Sequence, residues 1–292
     1  MNTRRVTFDS SGGVLIGNMY LPTDLSGARR PAVVVAGAWA TVKEQMAAGY
    51  AREMADRGLI ALTFDFRSWG ESGGQPRSME DPHAKSADIV AAAEFLAAHP
   101  AVDPDAIAGL GICAGSSYMV AAATRTPLLV SLALIAPALP TRNDVSENLG
   151  GEQGMAALIH AADEALAEYQ RSGRQALVPA VPLDQADPAP GEDYYTNPER
   201  GLIPQWDNTF NLASWASWIP FDVHALAPAL TQPLLVVHSE DAVNPGSVRR
   251  FVNAVSGPVD QLWLDGATQF DFYDQPGPMT AASDAAVVHF KR

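Results

Sequence analysis

Apolar residues follow two alternating rhythms along the chain. Residues 31–37, 59–64, 107–112 and 130–135 are short, almost unbroken apolar runs, the pattern of strands covered on both faces. Segments of helical period lie between them. Residues 43–57 place Met46, Tyr50 and Met54 four apart, with Ala47, Ala51 and Ala55 beside them, and Gly58 ends the pattern. Residues 84–98 put Ile89, Ala92, Ala93 and Leu96 on one stripe before Pro100, and residues 114–123 form a third helix. A hairpin is expected ahead of these, pairing residues 5–8 with 14–21 across Ser10-Ser11-Gly12-Gly13. Repeated β-α order predicts an α/β fold, with a mostly parallel sheet and helices on both faces.

The alternation breaks at residues 140–220. A helix is expected over 152–169, then a Pro/Ala/Asp-rich loop through Gly191, then a stretch holding Tyr194, Tyr195, Trp206, Phe210, Trp215 and Trp218. Strand 234–237, helix 247–255, strand 261–264 and helix 281–291 resume the pattern. The expected organisation is a core of residues 1–139 and 221–292 with a lid or cap, 140–220, inserted between the fourth and fifth parallel strands.

Composition narrows the function. Among 292 residues, 47% are hydrophobic and 18% charged, as in a folded globular chain. Thirty-three acidic residues against 19 basic ones give a net charge of −14, which repels phosphate backbones and anionic lipid. Nucleic acid and membrane are therefore not expected partners. The longest mainly apolar run, 128–139, falls short of the roughly 18 residues of a membrane span. Residues 1–13 hold no apolar leader, and a single cysteine allows no intrachain disulfide. The expectation is a soluble, cytoplasmic protein.

The chemistry centres on that cysteine. Gly111-Ile112-Cys113-Ala114-Gly115 lies where a buried strand meets an alanine-rich helix, the place and pattern of a nucleophile elbow. A nucleophile there needs oxyanion donors. The backbone N–H of Ala114 is one, and Ala38 or Trp39, after the first central strand, supplies the other. Asp241 follows the strand at 234–237 in the position of a catalytic acid, with Glu240 as its local competitor. Tyr194, Tyr195, Trp206 and Phe210 are expected to wall an apolar pocket, and a hydrophobic lid face would also suit a homodimer. No His, Cys or carboxylate spacing suggests a metal site, and no Gly-rich loop suggests a cofactor.

Together with Val42-Lys43-Glu44-Gln45-Met46, the run from Phe64 to Gly74 and Gly266-Ala267-Thr268-Gln269-Phe270-Asp271-Phe272-Tyr273-Asp274, the elbow resembles the α/β-hydrolases over nearly the whole chain. More narrowly, the chain resembles their dienelactone-hydrolase-related group with a Cys nucleophile. The resemblance implies acyl transfer to water on an ester, lactone or thioester of a small hydrophobic molecule, by a Cys113, Asp241 and His triad. Where such relatives carry the histidine, this chain has Gln269. An amide hydrogen-bonds but does not shuttle protons, and a general base contributes about 10²–10⁴-fold. Three accounts stay open: a hydrolase whose base has been replaced, a pocket kept for lyase, isomerase or cyclase chemistry, and a ligand-binding protein without turnover. His238, His160 and Glu44 are the substitutes for the base that the sequence offers.

Overall fold

In the computed structural model, which describes residues 2–11, 13–24, 29–182 and 192–292, β1 (Asn2–Ser10) and β2 (Gly13–Leu21) form the expected hairpin, with Phe8 opposite Leu15. Gly12 of the expected turn lies outside the described residues. β3 (Arg30–Ala36), α1 (Met46–Asp56), β4 (Ile60–Phe64), α2 (Pro82–Ala98), β5 (Val102–Ile112), α3 (Ala114–Ala123) and β6 (Leu129–Ile135) follow in alternation.

Between β6 and the next long strand come α4 (Arg142–Asn148), α5 (Gly151–Ser172), the short antiparallel pair β7 (Leu177–Val178) and β8 (Phe210–Asn211), and α6 (Trp215–Trp218). The sequence pattern indicates α5 but neither α4 nor the β7–β8 pair. Residues 183–191 of the Pro/Ala/Asp-rich loop lie outside the described residues. The chain then closes with β9 (Leu234–His238), α7 (Pro245–Ala254), β10 (Val259–Trp263), α8 (Asp271–Asp274) and α9 (Pro276–Phe290).

The eight long strands form one sheet in the order β1-β2-β4-β3-β5-β6-β9-β10, in which only β2 runs against the others. Two apolar layers cover it. Leu15, Val34, Leu62, Ile89, Met119, Leu132 and Phe251 fill the face under α2, α3 and α7. Val35, Tyr50, Met54, Leu110, Phe272 and Ala282 fill the face under α1, α8 and α9. Burial on both faces is why the central strands read as continuous apolar runs rather than alternating ones. Among the described residues, no helix is long and apolar enough to cross a membrane.

Several boundaries depart from the expected ones, β5 and α9 each starting five residues early; two others have a clear local reason. α1 starts at Met46 rather than residue 43, because the Gln45 side chain folds back to accept the Val42 N–H at 2.9 Å. Lys43 also turns inward, its ammonium 2.8 Å from Asp65 and 2.7 Å from Glu71. α2 begins at Pro82, two residues early, where the Asp81 carboxylate caps the His83 and Ala84 amides.

Candidate active site

Cys113 joins β5 to α3 with φ 53° and ψ −122°, a conformation that costs a non-glycine residue about 1–3 kcal/mol. Its neighbours show why the turn is built from glycine. A Cβ on Gly111 would lie 2.6 Å from Ser116 Cα, and one on Gly115 would lie 2.3 Å from the Gly37 carbonyl oxygen. Backbone hydrogen bonds fix the strained residue. Its N–H donates to the Ile135 carbonyl at 3.0 Å, and its carbonyl accepts from Ser116 at 3.0 Å and Ala138 at 3.1 Å. The residue stays partly exposed.

Four groups act on the thiol's titration: the Tyr273 hydroxyl, the Ala114 amide, the Gln269 side chain and the Trp39 amide. All four favour a thiolate, yet burial outweighs them and pushes the thiol above its ordinary pKa. Of the two candidates for the second backbone donor, Trp39 acts on the thiol. The structure does not bring Asp241 to Gln269. Asp241 is exposed, and among the described residues its carboxylate makes no hydrogen bond. Glu240 pairs outward with Arg249. Backbone holds Gln269 instead: it accepts from the Val243 amide at 3.1 Å and donates to the Ala136 carbonyl at 2.9 Å.

A cavity of about 190 Å³ opens beside the elbow, lined by Ala114, Tyr118, Val145, Trp218, Phe221 and Val223 among others. The four aromatic residues expected to wall the pocket are all buried, and none of them lines this cavity. Tyr194 packs 5.1 Å from the Tyr273 ring, Phe210 4.8 Å from Trp39, and Tyr195 5.4 Å from Trp206. Trp206 donates its indole N–H to the Ala40 carbonyl at 2.7 Å. On the other side of that residue, the Ala40 N–H donates to Glu80 at 3.1 Å. Glu80 is wholly buried, bound by both oxygens to the Lys85 ammonium at 2.8 Å and by one to the Tyr118 hydroxyl at 2.6 Å. The loop that carries the Trp39 amide is therefore held at Ala40 from two directions.

Residues 32–282 match the alpha/beta hydrolase family. The chain belongs to it. This alpha/beta hydrolase is 30% identical over 291 residues to the uncharacterized protein PA2218 of Pseudomonas aeruginosa, covering 93% of this chain and 76% of that one. The crystal structure of PA2218 superposes with a TM-score of 0.86, covering 99% of this chain and 94% of the other at 26% identity. The uncharacterized protein YcjY of Escherichia coli is 28% identical over 289 residues, 94% of each chain. A thiohydrolase of Eupenicillium brefeldianum is 22% identical over 250 residues, 83% of this chain and 79% of its own.

None of the three candidate substitute bases is placed at the thiol of this alpha/beta hydrolase. His160 is exposed on α5 beside Glu164, and Glu44 pairs with Lys43 at 2.8 Å. His238 is fully buried at the end of β9, its ring 5.2 Å from Trp263 and neither ring nitrogen hydrogen-bonded within the described residues. Burial drives its pKa down to about 4. An unfolded chain protonates this histidine near 6.5, so below that pH the unfolded state takes up a proton that the folded state refuses. Stability is then full above pH 6.5 and falls toward pH 4, by about 3 kcal/mol at most. His238→Phe is expected to flatten that segment of the profile in urea unfolding; an unchanged slope would place the acid-sensitive group elsewhere.

Tyr273 and the cleft residues Tyr118, Trp218 and Phe221 escape the sequence reading. Tyr273 carried a usable signal, since it lies four residues after Gln269, the spacing that puts two side chains on one face of a helical turn.

Proposed function

We propose that this alpha/beta hydrolase accepts acyl groups on Cys113 from small hydrophobic esters or thioesters, as the dienelactone-hydrolase-like motifs suggest, and that release of the acyl group to water is slow. The observation that carries this reading is the Cys113 elbow with the Ala114 and Trp39 amides turned toward the sulfur. Those donors suit the oxyanion formed when a thiol adds to a carbonyl. The cleft beside them bounds the acyl group. A cavity of about 150 Å³ accommodates benzene, so about 190 Å³ suits one ring or a chain of about six carbons. The relative named a thiohydrolase favours a thioester as donor. The segment 140–220, which supplies Val145 and Trp218 to the cleft, acts as its cap.

Gln269 sets the slow step. Deacylation requires a water to lose a proton, and an amide does not take one. The absence of a base at this position also favours a second reading, in which the acyl group passes to an acceptor other than water or the pocket serves a rearrangement.

Intact mass after incubation with p-nitrophenyl butyrate tests the proposal. A single butyryl adduct should accumulate, vanish in Cys113→Ala, and form faster as pH rises, because the thiol sits above its ordinary pKa. If no adduct and no p-nitrophenolate appear, acyl transfer to Cys113 is ruled out and rearrangement chemistry in the same pocket becomes the working reading.

A further inference from the structure

The hydrogen bonds of Gln269 fix which end of its amide is which. Oε1 accepts the Val243 N–H, so Nε2 is the donating end, and it reaches the Ala136 carbonyl at 2.9 Å and the Tyr273 hydroxyl at 3.4 Å. A phenol oxygen that receives a hydrogen bond keeps its own O–H for another partner. Two groups are within reach, the Cys113 thiol and the Tyr195 hydroxyl. The Tyr273 ring is buried and packed edge-on against Tyr194 at 5.1 Å and Phe270 at 5.4 Å, so the hydroxyl has a fixed place. Burial holds its pKa well above that of an ordinary phenol, which keeps the proton on it.

A buried phenol makes a poor base, because phenolate has no water around it. It makes a good shuttle, because a residue that takes one proton while giving another never becomes charged. We infer that Tyr273 is a catalytic residue of this site, passing the Cys113 proton to the leaving group as the acyl group moves to sulfur. The step rests on the acyl-transfer reading above. As the bond from Sγ to the acyl carbon forms, the thiol proton moves to Tyr273 Oη. The original Oη proton moves to the departing sulfur or oxygen as its bond to the acyl carbon breaks. Tyr273 ends as it began, the leaving group departs neutral, and no co-reactant is consumed. Gln269 is the positioning residue: its N–H occupies one lone pair of the phenol oxygen, leaving the other to accept the thiol proton while the O–H turns to the leaving group.

Leaving-group dependence separates this role from simple packing. S-butyl thiobutyrate releases an alkyl thiol that benefits from the delivered proton, whereas S-(p-nitrophenyl) thiobutyrate releases a stable anion that does not. Acylation of Cys113, followed by intact mass, should fall about 10²-fold in Tyr273→Phe with the S-butyl thioester and less than about 10-fold with the nitrophenyl one. Gln269→Met should shift the ratio in the same direction by a smaller factor. A loss of equal size on both thioesters, or no loss on either, overturns the shuttle while leaving the acyl-transfer reading intact. If the parent chain forms no adduct with either compound, that reading fails and the shuttle fails with it.

Discussion

Gln269→His is expected to raise turnover of p-nitrophenyl butyrate by about 10²-fold or more and to abolish the accumulated Cys113 adduct. The imidazole would enter where the Gln269 amide now meets the Tyr273 hydroxyl and the thiol, and it would take the proton that the amide refuses. The gain depends on tautomer. If the Val243 N–H, which now serves Gln269, donated to one ring nitrogen, the other would carry the proton and face the thiol as a donor. A useful base needs an acceptor for its outer N–H instead, and Asp241 is the exposed carboxylate in the right loop. Asp241→Asn should therefore remove most of the gain in the histidine background, because an amide no longer fixes the tautomer. In the parent chain the same change should alter turnover less than about twofold, since its carboxylate touches nothing among the described residues. A large loss there would show that Asp241 already acts through a rearranged loop.

Lys85→Met should cost about 3–5 kcal/mol of stability, because it leaves Glu80 buried without its cation. Glu80 would keep the Tyr118 and Ala40 donors but would have to bind a proton or stay charged away from water. The double variant Glu80→Gln with Lys85→Met should recover most of the loss, since neither charge then remains. Chemical unfolding of the parent chain and the two variants gives the comparison. If the single and double variants fall by the same amount, the ammonium's contacts over the Phe66, Trp69 and Tyr118 rings matter more than its pairing with Glu80.

What could be read from the sequence followed from how local each determinant is. The elbow was readable because Gly111 answers to Ser116, five residues on, and because its strand and helix each carry a full period, although Gly115 answers to the distant Gly37 carbonyl. The choice between Ala38 and Trp39 was not, because it turns on one peptide's orientation. Asp241 stood out by position, but whether its carboxylate turns inward depends on the loop's path. Glu80 and Lys85 carry no signal in the sequence; only the approach of α2 to α3 and to the loop at Ala40 makes them a buried pair. Tyr273 stood in the motif Gly266 to Asp274 without a role of its own, because its hydroxyl gains meaning only beside the thiol. Within residues 140–220, a seven-residue helix and strands of two residues are too short to show a period.

The peptide at Ala40 is gripped by the core through Glu80 and by the inserted segment through Trp206. Those two grips make the segment an interlock on the chemistry. Under the proposed acyl transfer, a movement that broke the Trp206 bond would loosen the loop carrying the Trp39 amide, and full competence would then belong to the closed arrangement alone.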